Sequence, residues 1–302
     1  MTTRVNVLLS TFDGERFLAE QLGTILGQTD VELRLTARDD GSRDGTRSIL
    51  DAAAASDPRV TVQAGPNLGA ARSFFELLRL ADGSCQYFAF ADQDDLWPPD
   101  KLSSAVRLLD TVPAGEPALY CAALEFIDER GRPRGRTSAP RLIAFENALV
   151  ENIAIGCTVV INTAARELLL RYTPERPVMH DAWAYLALSA FGHVFFDPQP
   201  RVGYRQHGGN AFGADPRRFA HFLLHLRRVL RSRGLGFHAQ AVSFQRCFGE
   251  QLDPRRAAIL RRFVDSQASL GARLAYALRK DVVRQSAWHD FLVRILIATG
   301  AC

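Results

Sequence analysis

Short apolar segments alternate with helical patterns through the first hundred residues, and this alternation constrains the fold more than any other feature. The sequence predicts strands at 5–10, 31–38, 60–64 and 87–91, separated by helices at 17–27, 46–55 and 70–81. Strands that alternate with helices usually pair in parallel, because each helix carries the chain back over the sheet to the start of the next strand. We therefore predict an α/β fold with a mostly parallel sheet flanked by helices.

The rest of the chain is less regular. Pro98 and Pro99 are predicted to open a helix, where proline is tolerated in the first turn. Further predicted elements are strands at 119–127, 157–162, 193–196 and 202–205, a turn-rich basic loop at 128–135, and helices at 182–191, 217–231, 255–264 and 281–297. Because strand signals nearly vanish after residue 213, we expect an α/β domain over 1–213 and a helical C-terminal extension over 214–302.

Composition excludes several classes of protein. The formal net charge of +4 suits an anionic small ligand but falls short of a nucleic-acid-binding protein. The five cysteines are far apart and odd in number, which indicates neither a zinc site nor a disulfide framework. The sequence shows no secretory signal pattern, and its apolar runs are too short for a transmembrane helix. We expect a protein of the cytoplasm.

Clustered aspartates follow two of the predicted strands. Asp39 and Asp40 end the second strand, and Asp92, Asp94 and Asp95 follow the fourth. Ligands of open α/β sheets bind at the carboxyl ends of the strands. Neighbouring carboxylates repel each other by roughly 4 kcal/mol per pair at 4 Å and an effective dielectric constant of 20, and Mg²⁺ or Mn²⁺ would relieve that repulsion. For an isolated pair of aspartates, a solvated turn that caps a helix is the alternative.

The loop that begins at Asp40 also nearly matches the calcium loop of an EF-hand. It follows a strand instead of a helix, and its last position is Asp51 where an EF-hand has glutamate. These two differences argue against calcium. A strand-to-helix turn rich in acceptor side chains is better suited to hydrogen bonds with a base or a ribose.

Four motifs, in this order, resemble those of glycosyltransferase family 2. They are Ser10-Thr11-Phe12, the sequence DDGSRDGT at 39–46, Asn67-Leu68-Gly69, and Asp92-Gln93-Asp94-Asp95. The resemblance covers about residues 4–213, and the segment 90–97 is similar to the bacterial rhamnosyltransferase-like branch. It implies a Rossmann-like GT-A fold, a nucleotide-sugar donor bound by about residues 1–100, an acceptor half at about 101–213, Mg²⁺ or Mn²⁺ as cofactor, and inversion at the anomeric carbon.

On this sequence, the resemblance makes several residues candidates for binding the nucleotide-sugar. Thr11, Phe12 and Asp40 would contact the nucleotide, with Asp39 as a further candidate beside Asp40. Arg72 would approach the donor, although an arginine on a helix is often only a surface residue.

The metal would lie at the second aspartate cluster. The resemblance places Asp92 at the ribose or the metal, and makes Asp94 the direct ligand with Asp95 as the rival assignment. His207, in a polar glycine-containing loop, could complete the metal site or contact phosphate, and a structural histidine is the alternative. Arg205 could neutralise the leaving group as the glycosidic bond breaks.

An inverting transfer also needs a general base for the acceptor hydroxyl. Asp181 is the candidate, and a simple helix cap is the alternative. His180 stands where the family more often has glutamate, although a His-Asp pair also fits the rhamnosyltransferase-like branch. On the acceptor side, His180 and Trp183 are joined by Gly156 and Cys157, whose segment resembles the acceptor wall of the family.

The sequence thus predicts a metal-dependent, non-processive hexosyltransferase that uses a nucleotide-sugar, with dTDP-L-rhamnose favoured by resemblance, and a saccharide or lipid-linked acceptor. The Q-x-x-R-W pattern of processive members is absent. A nucleotidyltransferase is disfavoured because a glycine-rich basic loop is missing after the first strand; a non-catalytic sugar-nucleotide-binding protein is the other alternative. The basic amphipathic segment 219–231 could contact the inner face of the membrane, cover the core or form a homodimer.

Overall fold

The computed structural model describes residues 3–174, 179–207 and 236–301. The strands within these ranges are β1 (Arg4–Thr11), β2 (Glu32–Asp39), β3 (Val60–Ala64), β4 (Tyr87–Ala91), β5 (Ala118–Ile127), β6 (Pro133–Arg136), β7 (Val160–Asn162) and β8 (His193–Arg205). The helices are α1 (Glu15–Leu26), α2 (Thr46–Ser56), α3 (Ala70–Leu80), α4 (Lys101–Leu109), α5 (Phe145–Ala148), α6 (Thr163–Arg171), α7 (His180–Phe191), α8 (Phe237–Phe248), α9 (Pro254–Asp265), α10 (Leu270–Ala277) and α11 (Ala287–Thr299).

The strands form one mixed sheet in the order β3-β2-β1-β4-β7-β5-β6, with β8 paired to β5. The pairs β1–β2, β2–β3, β1–β4 and β5–β8 are parallel, whereas β7 is antiparallel to both β4 and β5. The predicted α/β class with a mostly parallel sheet is therefore confirmed. The antiparallel β7 divides the sheet into an N-terminal parallel part and a part built around β5.

Two apolar layers cover the faces of the sheet. Along β4, Tyr87 and Ala89 belong to one buried cluster and Phe88 and Phe90 to the other, which is the alternation expected of a strand buried on both faces. Helices α1 and α4 pack on the first face, and α3, α7 and α8 on the second. The parallel pairing of β1 with β2 and with β4 places the carboxyl ends of these three strands side by side.

Several predicted boundaries were wrong. Pro98 and Pro99 precede α4 instead of opening it, and the single strand predicted at 157–162 is a 3₁₀ turn (Gly156–Thr158) followed by the short β7. The two strands predicted at 193–196 and 202–205 are one strand, β8, whose pairing with β5 is interrupted by register shifts. The basic loop contains β6, and the last helix begins at Ala287 instead of Asp281. The predicted helix at 217–231 and the boundary at 213/214 lie outside the described residues.

The helices after residue 236 pack onto the α/β layer. Trp183 of α7 contacts Phe244 and Phe248 of α8, with ring centroids 5.6 Å and 6.1 Å away. These rings are fully buried, so α8 completes the second apolar layer. None of the helices formed by the described residues combines the length and the apolar character needed to cross a bilayer.

Candidate active site

A cavity of about 660 Å³ opens at the carboxyl ends of β1 and β4. The strand register explains its position, because Thr11 pairs with Asp39 at the end of β2 and Leu9 pairs with Ala91 at the end of β4. The chain therefore leaves three adjacent strands at one edge. Carboxylates from three separate segments line this cavity: Asp40, Asp92, Asp94 and Asp181.

Asp40 organises the first side of the cavity. Its two carboxylate oxygens accept hydrogen bonds from the backbone N–H groups of Leu68 and Gly69, both at 2.8 Å, and it also pairs with the buried guanidinium of Arg38. Gly69 adopts φ of +78°, a left-handed conformation that glycine adopts without strain. Asp40 thus fixes the turn that leads into α3 while also lining the cavity.

The other predicted nucleotide contacts lie near Asp40. Thr11 is buried and lines the cavity, and Phe12 lines it with 43% of its surface exposed. Asp39 is turned toward its own loop, where Ser42 donates its backbone N–H to the carboxylate. Arg72 is exposed on the first turn of α3. Thr11, Phe12 and Asp40 therefore line the cavity together, whereas Asp39 and Arg72 are not among its lining residues.

Gln93 links the ends of two strands, a role that was not predicted. Its side-chain amide accepts from the N–H of Phe12 at 2.8 Å and donates to the carbonyl of Phe12 at 3.0 Å. It also lies against Gly14, where a Cβ atom would come within 2.3 Å of the amide carbon. This amide holds the Phe12 backbone beside the acidic run. In the sequence, the signal for this role was the position of Gln93 as the second residue of the D-x-D-D motif.

Asp94 and His207 form the exposed half of the acidic site. The Nε2 atom of His207 lies 2.7 Å from Oδ2 of Asp94, both side chains are 14% exposed, and the imidazole packs against Phe17. A carboxylate oxygen and an imidazole nitrogen are ligands that Mn²⁺ accepts. Asp94 and His207 thus supply two ligand atoms of the kind that a divalent cation binds, and Asp92 lines the same cavity as Asp94.

Asp95 faces the interior instead. Its side chain is fully buried, Oδ1 accepts from the N–H of Arg205 at 3.3 Å, and Oδ2 has no hydrogen-bond partner within the described residues. Among those residues, Asp92, Asp95 and Cys157 have ligand atoms within 4.8 Å of one another. Burial raises the pKa of the Cys157 thiol well above its usual value, which favours the protonated form that binds metal poorly.

Burial and mutual repulsion also raise the pKa values of the carboxylates. For Asp92 the pKa lies well above its usual value, mainly because of burial, with Asp95 and Asp94 adding to the effect. Burial and the charge of Asp94 raise the pKa of Asp95 to about 7. Bringing a cation to this cluster would favour the ionised forms and release protons.

Arg205 lies behind the acidic run instead of on the cavity surface. Its guanidinium is buried, donates to the carbonyls of Asp94 and Glu129 at 2.9 Å and 2.7 Å, and pairs with Glu20 at 2.7 Å. These contacts hold the backbone of Asp94 in place. The predicted neutralisation of a leaving group would require breaking them.

Asp181, the predicted base, lies on the opposite side of the cavity at the start of α7. Its Oδ2 atom accepts the backbone N–H of Gly156 at 2.9 Å. Burial raises the pKa of Asp181 to about 6, although the N–H groups of Ala182 and Gly156 oppose that rise. A carboxylate with a pKa close to neutrality is suited to accept a proton in catalysis.

The predicted acceptor-side residues divide into two groups. Gly156 and His180 line the cavity; His180 stacks on Phe74 with centroids 3.8 Å apart, and burial lowers its pKa to about 3. The imidazole is therefore neutral at physiological pH. Trp183 and Cys157 lie in the core instead, because α7 and the 3₁₀ turn direct these side chains away from the cavity.

Several further cavity residues were not predicted as site residues from the sequence, among them Met179, Tyr204 and Phe237. Met179 precedes α7, Tyr204 lies near the end of β8, and Phe237 opens α8. Nothing in the sequence indicated that Phe237 would line the cavity, because no helix was predicted in that segment. Met179 and Tyr204 are adjacent to predicted site residues, and that adjacency was the only indication available.

Comparison with known proteins agrees with this geometry. The family model described as Glycosyl transferase family 2 matches residues 6–171, more than half of the chain. A dTDP-rhamnosyl transferase of Shigella flexneri is 27% identical over 222 residues, which cover 68% of this chain and 74% of that protein. A UDP-Glc:alpha-D-GlcNAc-diphosphoundecaprenol beta-1,3-glucosyltransferase of Escherichia coli is 29% identical over 188 residues, covering 61% and 68%.

Solved structures share the fold. S. aureus TarS residues 1–349, in complex with UDP-GlcNAc, is 14% identical with a TM-score of 0.59, covering 99% of this chain and 81% of that one. A Pyrobaculum calidifontis mannosyltransferase, in complex with GDP-Man and Mn²⁺, is 21% identical with a TM-score of 0.53, covering 99% and 86%. From the family match and the shared GT-A fold, we conclude that this chain belongs to glycosyltransferase family 2 and is a glycosyltransferase.

Proposed function

We propose that the chain is an inverting, divalent-metal-dependent transferase that moves one sugar from a nucleotide donor to a saccharide or lipid-linked acceptor in bacterial surface polysaccharide synthesis. The observation that carries this proposal is the single cavity lined by Asp40, by Asp92 and Asp94, and by Asp181. A nucleotide side, a diphosphate side and a basic group for the acceptor are then arranged around one space.

In the proposed reaction, the exposed ring of Phe12 and the turn held by Asp40 receive the nucleotide. Asp94 and His207 would hold Mg²⁺ or Mn²⁺, which neutralises charge on the departing diphosphate. Asp181 accepts the proton of the acceptor hydroxyl while that oxygen attacks the anomeric carbon from the face opposite the leaving group. One displacement of this kind inverts the configuration.

The proposed donor is dTDP-L-rhamnose, which is supported by the Shigella flexneri relative and by the sequence motif at 90–97. The lipid-linked form of the acceptor is supported by the name of the Escherichia coli relative. For such an acceptor, we propose that the reaction takes place at the cytoplasmic face of the membrane. The E. coli name also gives UDP-glucose as a donor, so both donors belong in the first assay.

The test is a panel of dTDP-, UDP- and GDP-sugars, incubated with Mn²⁺ or with EDTA, in which the released nucleotide and the sugar product are identified. We expect release of nucleoside diphosphate that EDTA abolishes, and a fall of about tenfold or more in Asp94→Ala. Asp51→Ala is the matched control, because Asp51 is an exposed aspartate on α2 that pairs only with a surface arginine among the contacts seen. Full activity of Asp94→Ala would refute the metal site.

The same assay distinguishes the proposed glycosyltransferase from a nucleotidyltransferase and from a non-catalytic binding protein. A nucleotidyltransferase would release pyrophosphate, and a non-catalytic binding protein would bind a sugar nucleotide without turnover. Configuration at the anomeric carbon of the product, determined by NMR spectroscopy, tests inversion.

A further inference from the structure

Large apolar side chains are concentrated on the surface of α10 and α11. Across the described residues, six of the ten exposed large hydrophobic side chains belong to this pair of helices and the turn after α10. They are Leu270, Leu274, Leu278, Trp288, Phe291 and Ile295, and we call this set the apolar face. The exposed fractions run from 43% for Ile295 to 87% for Leu278. Single exposed apolar residues are ordinary, but a cluster of this size marks a site of interaction.

Helical spacing places each half of the apolar face on one stripe. Positions 270, 274 and 278 recur every four residues, and 288, 291 and 295 recur every three or four. The opposite sides of the two helices are anchored in the core by Tyr276, Val293 and Ile297, which are buried. The stripes are therefore the outward sides of helices whose inward sides are already packed.

The two helices pack against each other in antiparallel orientation. Arg294 of α11 donates to the carbonyl of Ala277 at the end of α10, whereas Gly300, after α11, lies against Arg273 in the first turns of α10. Trp288 and Phe291 also stack, with ring centroids 5.8 Å apart. The two stripes thus belong to one hairpin that presents leucine from one helix and aromatic residues from the other.

Charge along the chain indicates what this hairpin contacts. Residues 1–207 contain 21 Lys and Arg and 27 Asp and Glu, a net charge of −6, whereas residues 208–302 contain 16 and 6, a net charge of +10. Basic side chains such as Lys280 lie close to the apolar face in the sequence. Contact between the apolar faces of two copies would bring two basic segments together and is disfavoured by their repulsion, whereas a surface of anionic lipid headgroups would attract this segment.

We propose that the apolar face docks the enzyme on an anionic membrane surface, with Trp288, Phe291 and the leucines entering the boundary between headgroups and acyl chains. Tryptophan is enriched at that boundary because its ring is apolar and its indole N–H is polar. Helices of this type lie in the plane of the interface and do not span it. This docking is independent of the identity of the donor and the acceptor.

The three tryptophans of the chain make the proposal directly measurable. Trp97 and Trp183 are 4% and 1% exposed, whereas Trp288 is 59% exposed, so a change in tryptophan emission on contact with a surface reports Trp288. We expect a shift to shorter wavelength with vesicles of phosphatidylglycerol and phosphatidylcholine, and quenching when the acyl chains are brominated. Trp288→Phe is expected to lose the shift but still float with the vesicles.

The second measurement is flotation of variants with the same vesicles. The double variant Leu274→Ser/Phe291→Ser is expected to bind the vesicles at least about tenfold more weakly than the wild type, because two inserted apolar side chains are lost. Leu80→Ser is the matched control, since Leu80 is 40% exposed at the end of α3 and lies outside the apolar face. All three side chains are exposed, so melting temperatures should remain unchanged.

Three results would overturn the proposal. They are absence of flotation and of the emission shift with anionic vesicles, equal binding by the double variant and Leu80→Ser, and self-association in analytical ultracentrifugation that the double variant abolishes. The last result would assign the apolar face to a second copy of the chain. Because the vesicles contain no donor or acceptor, these outcomes are separate from success or failure of the transfer assay.

Discussion

The ammonium nitrogen of Lys101 lies 2.7 Å from the carbonyl oxygen of Cys157 and over the ring of Trp97. The side chain is fully buried, and burial lowers the pKa of Lys101 well below its usual value, while the charges of Asp95 and Asp92 oppose that change. An ammonium group surrounded by a carbonyl, an aromatic face and carboxylates is a counter-charge placed inside the protein. Lys101 thus supports the acidic run from the side opposite the cavity.

Lys101→Met should destabilise the protein by about 3 kcal/mol, because the buried carboxylates lose their compensating charge. The only other lysine in the sequence, Lys280, is exposed, so Lys280→Met is a matched control that should change stability by no more than about 0.5 kcal/mol. Urea unfolding followed by circular dichroism measures both. Equal effects of the two substitutions would show that Lys101 is not a counter-charge.

Catalysis should require ionised Asp181. Because burial raises the pKa of Asp181 to about 6, the active carboxylate becomes protonated as the pH falls through that value. We expect kcat/KM to be about tenfold lower at pH 5 than on its plateau above pH 7, and Asp181→Asn to lower kcat by about a thousandfold. A pH–rate profile at saturating Mn²⁺ measures this. An acidic limb that persists in the residual activity of Asp181→Asn would assign the titration to another group.

The same carboxylate should lower stability at high pH. The pKa of Asp181 is higher in the folded protein than in the unfolded chain, so its contribution to stability is present below about pH 4 and is lost as the pH rises through about 6. Asp181→Asn removes this loss and should be at least as stable as the wild type at pH 8. Thermal unfolding at pH 5 and pH 8 measures the difference; a variant that is less stable at both values would contradict the assignment.

Gly156 leaves no room for a side chain beside the proposed base. A Cβ atom at this position would lie 2.9 Å from Nε2 of His180 and 3.5 Å from Oδ2 of Asp181. Gly156→Ala should therefore shift these side chains and lower kcat by roughly a hundredfold. Gly23→Ala is the control, because a Cβ atom at Gly23 meets nothing within 4 Å on α1. It should leave activity unchanged and increase stability by about 0.5 to 1 kcal/mol.

Asp40 should contribute to both folding and donor binding. Asp40→Ala leaves two backbone N–H groups and the buried guanidinium of Arg38 without their acceptor, which should cost about 3 kcal/mol. The partly exposed pair of Asp57 and Arg59 provides the comparison, since Asp57→Ala should cost about 1 kcal/mol or less. Calorimetry should show weaker binding of the donor to Asp40→Ala and unchanged binding to Asp57→Ala. Unchanged donor affinity would limit Asp40 to a structural role.

Sequence periodicity located β1 to β4 and their helices to within two residues, because each of these elements has its own local apolar pattern. It did not reveal that β7 runs antiparallel between β4 and β5, since that pairing joins strands about 40 and 70 residues apart in sequence. It also merged the 3₁₀ turn with β7 and overlooked α8, where aromatic residues pack on α7 instead of following a clear stripe.

The candidate site shows the same division. Asp40, Asp94 and Asp181 were found because acidic residues follow strands or open a helix in recognisable motifs. The buried positions of Asp95 and Arg205 depend on how β8 lies beside the turn after β4, and no local pattern contains that information. The role of Lys101 was likewise invisible, because a lysine near the start of a helix usually indicates an exposed surface.

Phe237 follows the α/β part of the chain in sequence, and it lies on the wall of the cavity. In the proposed reaction, the nucleotide cradle is built from residues before position 100, whereas this wall depends on a separate, later segment. We therefore expect that changes around Phe237 alter the shape of the cavity without altering the proposed nucleotide contacts of Thr11, Phe12 and Asp40. Exchange of the segment that begins at α8 between family members is accordingly expected to vary this wall of the cavity while the nucleotide contacts stay in place.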